Sequence, residues 1–295
     1  MKPKVAAIGT FDGVHRGHRS VLETLTDYAK EHDMDPVAIT FNHHPLAIID
    51  PSRTPSELTP LWKKKKLLSE VGAVPSIINF DEPLRSTTAA EWMKRLYKDF
   101  GVRALVIGYD NTFGSDGINL SLEDYRKLGE QEGIDVITAT EIKGVSSSAI
   151  RKAVEAGEVE KAREMLGRPF SITAKVIKGN NLGHTLGFPT ANIEIPKGGA
   201  VPHPGVYAAI VKTLDDGKKH PAMVNIGTRP TVMRGDEMVI EAHLINWDGD
   251  LYEKEITVRF IKRIRDEKKF DSIEALRRQL DVDRENTLEL LKDLE

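Results

Sequence analysis

The chain contains no cysteine in its 295 residues. That excludes a disulfide framework, a thiol nucleophile and a thiolate-bound metal. Long apolar runs are also missing. No stretch approaches the ~20 residues that a membrane helix requires, so no membrane association is expected. Neither sign of charge dominates: 42 Lys and Arg stand against 45 Asp and Glu, a net charge of −3. A nucleic-acid surface is not expected from that balance. The one basic run, Lys63-Lys64-Lys65-Lys66, reads as a solvated helix face. Internal repeats and low-complexity tracts are absent. Met1-Lys2-Pro3-Lys4 leads into a short apolar run without signal-peptide anatomy, so the expected location is the cytoplasm. With 40 % hydrophobic and 29 % charged residues, disordered, collagen-like and coiled-coil chains are excluded. At about 150 residues per domain, the length implies two domains.

The two parts differ in hydrophobic period. Up to Arg168, short apolar runs alternate with helical patterns. Val5–Ile8, Val37–Phe41, Ser76–Phe80, Ala104–Ile107 and Asp135–Ile137 read as strands, while Arg16–Lys30, Leu61–Val71, Ala89–Phe100 and Leu120–Glu132 read as helices. This alternation predicts an α/β domain with a doubly wound parallel sheet. Ligands of such sheets lie beyond the carboxyl ends of the strands. Residues from Ser147 to Leu166 read as two short helices broken at Gly157. After Gly167-Arg168-Pro169, the segments Ile172–Ile177, Val206–Lys212, Met223–Ile226, Val239–Leu244 and Ile256–Ile261 are β-branched or alternating, with Gly- and Asp-rich turns between them. They predict an antiparallel β-barrel. Two closing helices are expected at Ser272–Leu280 and Arg284–Leu294, the first with a capping-box-like start at Asp271 and Glu274. The expected domains are therefore residues 1–168 and 169–295.

The first chemical motif is Gly9-Thr10-Phe11-Asp12-Gly13-Val14-His15-Arg16-Gly17-His18, between the first strand and the first helix. Free N–H groups and the helix dipole favour anions there. His15 and His18, three apart at a helix start, can both donate to one phosphate and to the charge that develops on it. A second motif, Ser146-Ser147-Ser148-Ala149-Ile150-Arg151, sets hydroxyls and a cation at another helix start, a combination suited to phosphates.

This His-x-Gly-His stretch, taken with the Ser-rich turn ending in Arg151, resembles the signature of the nucleotidyltransferase superfamily. Thr40-Phe41-Asn42-His43-His44-Pro45 and Gly108-Tyr109-Asp110-Asn111-Thr112-Phe113-Gly114 are similar to segments of one branch, the flavin adenylyltransferase module of bacterial bifunctional riboflavin kinase/FAD synthetases. The resemblance implies that Gly9, Phe11, Asp12, Asn42 and Asp110 help to bind ATP and flavin. It also implies that His15 and His18 stabilise charge at the α-phosphorus, and that Ser147, Ser148 and Arg151 hold the leaving pyrophosphate.

In the second part, Lys178-Gly179-Asn180-Asn181-Leu182-Gly183-His184 is a Gly-rich loop able to wrap phosphates, followed by Gly187-Phe188-Pro189-Thr190-Ala191-Asn192. Thr190 and Asn192 alternate on an extended chain and share a face. Their oxygens are hard ligands suited to Mg²⁺ with nucleotide phosphates. The Gly-Phe-Pro-Thr-Ala-Asn run resembles the signature of riboflavin kinases, and the match continues through Pro204–Tyr207, Asn225–Thr231, Asp250–Tyr252 and Arg265–Phe270. It implies that Gly179, Gly183, Thr190 and Asn192 bind Mg–ATP, that Glu241 is the general base for the riboflavin 5′-hydroxyl, and that Arg265 lies near the flavin.

The chain is thus expected to use riboflavin, FMN and ATP with Mg²⁺, to yield FMN and then FAD, and to act as a monomer or with weak self-association. Two rivals stay open. One is a riboflavin kinase whose adenylyltransferase module is weak or uses another nucleotide, a reading motivated by Asn111. The other is a flavin-binding regulator without turnover.

Overall fold

A computed structural model describes residues 2–109, 112–179, 187–213, 217–231 and 235–292, with the backbone alone at 229–231 and 235–237. The chain divides into two compact units, Met1–Ser147 and Ser148–Glu295.

The first unit runs β1 (Lys4–Ile8), α1 (Arg16–Glu31), β2 (Asp35–Phe41), α2 (Leu46–Ile49), α3 (Leu61–Glu70), β3 (Val74–Ile78), α4 (Glu82–Arg85), α5 (Ala89–Lys98), β4 (Val102–Ile107), α6 (Leu122–Glu132) and β5 (Asp135–Thr138). The strands form a parallel sheet in the order β3-β2-β1-β4-β5. Alternation along β1 explains the two layers. Val5 and Ala7 pack with Leu22, Leu25, Leu67 and Leu68 from α1 and α3. Ala6 and Ile8 pack on the other face with Trp92, Met93, Leu96 and Tyr125 from α5 and α6. Strand order reverses between β1 and β4, and such a reversal opens a crevice at the carboxyl ends. The turn after β1 sits at that place. Helices α5 and α6 each begin with a capping box, Thr88 with Glu91 and Ser121 with Asp124. The edge strand β3 includes Pro75.

One expectation fails in this unit. Lys65 and Lys66 are exposed and Lys63 is half-buried, but Lys64 is buried, only 7 % exposed. The physical reason is helical spacing: Lys64 stands three and four residues before the buried Leu67 and Leu68, on the inward face of α3. Burial lowers the Lys64 pKa, while Asp12 first and then Glu57 act to raise it. The charge of the buried Asp12 thus offsets part of the cost of burying that ammonium.

The second unit runs α7 (Ser147–Glu155, whose first residue belongs to the first unit), α8 (Val159–Leu166), β6 (Ser171–Ile177), β7 (Ala191–Ile193), β8 (Gly205–Thr213), β9 (Lys219–Thr231), β10 (Gly235–Leu244), β11 (Glu255–Arg265) and α9 (Ile273–Leu291). The strands close into an antiparallel barrel, β10-β7-β6-β11-β8-β9. Ile226, Ile240, Ala242, Val258 and Phe260 are buried in it. The break at Gly157, between α7 and α8, has φ of +77°. Glu160 on α8 pairs with Lys262 on β11.

The C-terminal end differs from its expectation. The two closing helices are one, α9, continuous through Asp281-Val282-Asp283. Asp283 is fully buried and accepts Arg265 Nε at 3.0 Å and Nη2 at 2.7 Å, as well as Gln279 Nε2 at 3.0 Å. A long-range ion pair therefore stabilises the polar stretch that looked like a break. The cap is Ser272, whose Oγ accepts the Ala275 amide at 3.1 Å, one residue later than expected.

Candidate functional site

The turn after β1 is strained. Phe11 (φ +47°) and Val14 (φ +38°) are non-glycine residues in the left-handed region, and Gly13 (φ +87°) lies between them. A β-branched residue with positive φ is an outlier, and outliers of this kind collect at functional sites. What over-determines the strain is visible. The Val14 amide donates to Phe11 O at 3.1 Å, Phe11 is buried, and Asp12 is clasped from two sides. The Asp12 carboxylate accepts the Leu58 and Thr59 amides at 3.1 Å. The Asp12 carbonyl accepts Ser147 Oγ at 2.8 Å.

His15 is the N-cap of α1, and its Nδ1 accepts the His18 amide at 3.2 Å. An acceptor Nδ1 leaves the proton on Nε2. The His15 and His18 rings stack at 3.6 Å with 16° between planes, and Phe11 meets His18 edge-on at 5.3 Å. Gly17 permits this packing, because a Cβ there would stand 3.2 Å from Cε1 and Nδ1 of the His15 ring. The structure therefore brings His15 and His18 together, with Gly9 and Phe11 beside them. Two stacked imidazoles at a helix start form a donor platform for an anion.

Other expected residues have more local tasks. The Asn42 carbonyl oxygen accepts the His43 and Phe80 amides, and its Nδ2 donates to Asn79 at 2.7 Å, so it ties the end of β2 to the end of β3. Asp110, with its neighbour Asn111, lies outside the described residues. Just beyond, Tyr125 Oη accepts the Phe113 amide and donates to Phe113 O, at 2.8 and 2.7 Å. Ser148 and Arg151 lie in the first turns of α7, and Arg151 is buried. Burial raises the Glu57 pKa, helped by Asp12 and opposed by Lys64 and His43.

In the second unit the Gly-Phe-Pro-Thr-Ala-Asn run is built residue by residue. Gly187 has φ of +80°. Phe188 is buried against Met223, Ile245 and Leu280. The Pro189 carbonyl is bonded to His243 Nδ1 at 2.8 Å. Asn192 sits opposite Glu241 in the β7–β10 ladder, and Glu241 sits opposite Asn225 in the β10–β9 ladder. One amide, one carboxylate and another amide thus make a row across three strands. Gly179 is required by close approach, since a Cβ there would overlap the Asn192 amide. Gly183 and the rest of 180–186 lie outside the described residues. A cavity of about 500 Å³ is lined by residues that include Gly179, Thr190, Asn192, Leu244 and Trp247.

The flanks of this site are also ordered by charge and burial. Burial lowers the His243 pKa; the bond to Pro189 opposes this and Arg284 adds to it. Asn246, after β10, has φ of +54°, a conformation that Asn tolerates. Arg265 bridges β11 and α9 through Asp283, and its Nη1 donates to Asp266 O at 2.9 Å. Sequence reasoning assigned no role to Asn225, His243 or Lys64. A signal for His243 was present: it follows Glu241 by two positions, which puts both on one strand face.

The donor set fits a hard cation. Thr190 Oγ1 and Asn192 Oδ1 are neutral oxygens beside the cavity, and among the described residues no group of three or more His, Cys, Asp or Glu could hold a metal. Such a pair suits Mg²⁺ that takes the rest of its shell from phosphates and water.

A riboflavin kinase family model matches residues 166–291, and an FAD synthetase model matches residues 1–151. The bifunctional riboflavin kinase/FMN adenylyltransferase of Pseudomonas fluorescens is 36 % identical over 284 residues, 95 % of this chain and 90 % of that one. Its counterpart in Escherichia coli K12 is 36 % identical over 284 residues, covering 94 % and 89 %. The Bacillus subtilis enzyme of that name is 32 % identical over 296 residues, covering 98 % and 93 %. A solved structure described as a macrolide-efflux protein from Streptococcus pneumoniae superposes with a TM-score of 0.88 at 29 % identity, over 97 % of this chain and 94 % of that one. In this chain, no helix among the described residues is long and apolar enough to cross a membrane.

Proposed function

The chain belongs to the bifunctional riboflavin kinase/FMN adenylyltransferase family, and from that premise we propose that it makes FAD in two steps at two separate sites. Residues 169–295 phosphorylate riboflavin, and residues 1–168 adenylylate the product. The family matches at 1–151 and 166–291 support this division.

The observation that carries the kinase reading is the Asn192–Glu241–Asn225 row, whose first member lines the cavity. The riboflavin 5′-hydroxyl attacks the γ-phosphorus of ATP, its proton passes to Glu241, and ADP leaves. The cavity takes the nucleotide, and Gly179 allows the chain to lie close to it. Mg²⁺ held by Thr190 and Asn192 would neutralise phosphate charge. Positioning and neutralisation are most of what phosphoryl transfer asks of a protein.

In the other reaction the FMN phosphate attacks the α-phosphorus of ATP and pyrophosphate leaves. That nucleophile is already ionised, so a site made of donors suffices. The stacked His15–His18 pair supports this assignment. Ser147, Ser148 and Arg151 hold the pyrophosphate. Asp12, with its carboxylate taken by two amides, shapes the turn.

Two substitutions test the reading. Glu241→Gln should lower FMN formation by about 10²–10⁴-fold, the range for a lost general base, and leave FAD formation from supplied FMN intact. His18→Ala should do the reverse. If either change stops both reactions in a folded protein, the two-site assignment is wrong. FMN accumulating without FAD in the unaltered protein would favour the kinase-only reading, and no ATP consumption with flavin present would favour the regulator.

A further inference from the structure

The residue that the kinase reading leaves without a task is His243. On β10, Ile240, Ala242 and Leu244 are buried in the barrel, so Glu241 and His243 face outward together. Glu241 faces Asn192 and Asn225; His243, two residues along, faces Met223 on β9 and reaches the Pro189 carbonyl on its other side.

Pro189 is the last residue before Thr190, and its backbone has one soft torsion. The ring locks φ near −65°. The preceding residue, Phe188, is anchored by burial, with His243 edge-on at 5.2 Å and the Arg284 guanidinium 5.5 Å from its ring centre. What remains free is ψ of Pro189, and the position of the Pro189 oxygen is a direct expression of that angle. The β7–β10 pairing cannot set it, because the ladder begins only at Ala191. The bond from His243 Nδ1 at 2.8 Å does set it. A carbonyl only accepts, so Nδ1 carries the proton.

We propose that His243 is a positioning residue of the kinase site, which fixes the Pro189–Thr190 peptide and thereby aims the Thr190 hydroxyl for the Mg–nucleotide. This inference rests on the reading of Thr190 and Asn192 as the residues that hold that complex. His243 touches neither substrate nor reacting atoms; its effect passes through one peptide plane.

The test compares two amides. His243→Asn places a donor nitrogen where Nδ1 stands, while His243→Gln places its amide near Nε2. Mg–ADP binding is measured by calorimetry with and without Mg²⁺, and riboflavin phosphorylation gives KM for ATP and kcat. FAD formation from supplied FMN reports on the rest of the chain. Loss of one hydrogen bond that orders a ligand residue is worth on the order of a tenfold change. The Gln variant should bind Mg–ADP about tenfold more weakly and raise KM for ATP alike, with kcat changed less. The Asn variant should stay within about threefold of the parent. Parent-like Mg–ADP binding by the Gln variant would overturn the proposal. Equal impairment of both variants would also overturn it, since packing of the ring on Phe188 would then be the whole effect. Thr190→Ala separates the two levels: if that change leaves Mg–ADP binding intact, the ligand reading itself fails, whatever His243 does.

Discussion

Gly17→Ala isolates the geometry of the histidine pair from the stability of the helix that bears it. Gly17 is the second residue of α1, and its backbone is open to any residue. In a helix, Ala is favoured over Gly by roughly 0.5–1 kcal/mol. The new methyl, however, would stand 3.2 Å from two atoms of the His15 ring. Ordinary van der Waals contact begins at 3.4 Å, so the ring must give by a few tenths of an ångström. Its freedom to do so is small, since Nδ1 holds the His18 amide at 3.2 Å and the other ring is stacked at 3.6 Å. A misplacement of 1 Å costs on the order of 100-fold in rate. Half of that displacement gives roughly tenfold, equal to about 1.4 kcal/mol of barrier. The expected result is FAD formation from FMN reduced about tenfold, riboflavin phosphorylation unchanged, and a melting temperature held or raised. The assay follows FMN and FAD by chromatography alongside a thermal melt of the same preparation. A variant that melts as expected and makes FAD at the parent rate would refute the claim that the stacked pair must hold its place.

Arg265→Met should strand the fully buried Asp283 carboxylate and destabilise the second unit by about 3–5 kcal/mol, the cost of removing one partner of a buried pair; urea unfolding measures it, and a loss below 1 kcal/mol would show that the pair is not a strut. The capping carboxylates of α5 and α6 supply a pH dependence. Glu91 and Asp124 are held below their ordinary values, Glu91 first by the Thr88 amide and Asp124 first by the Ser121 hydroxyl. A carboxylate with a depressed native pKa stabilises the fold above its unfolded value and loses that contribution as the pH falls through the native one. Thermal melts of Glu91→Gln and the parent should therefore differ at pH 7 and converge below the carboxylate range; a constant offset at all pH values would contradict the ionised cap.

How legible the molecule was depends on range in sequence. The first sheet follows from apolar runs whose partners lie one helix away, and each expected strand of it is present. In the barrel, β7 went unread because three residues after a Gly-Phe-Pro loop carry no period. The Asp281–Asp283 stretch reads as a break because nothing local reveals Arg265, which lies 18 residues upstream of Asp283. Lys64 reads as solvated because four lysines in a row hide that the second shares a helix face with Leu67 and Leu68. Among the candidate site residues, motif position marks His15, His18, Thr190, Asn192 and Glu241, and the strand pairing unites the last two. The tasks of Asn42, Asp12 and His243 are bonds to backbone groups far along the chain, and no motif encodes those.

The contrast between a sheet with borders and one without has a consequence for how the protein survives at high concentration. Among the described residues the barrel strands close on themselves. The parallel sheet ends at β3 and β5, and a bare border is a template on which another chain can grow a strand. At β3 the border is five residues long and includes Pro75, which has no N–H to offer; at β5 it is four residues long and opens with Asp135. A proline and a short, charged start are means by which sheets refuse extension. Replacing Pro75 with a β-branched residue would complete the donor row of that border, and the price of a tidier strand would be a surface ready for aggregation.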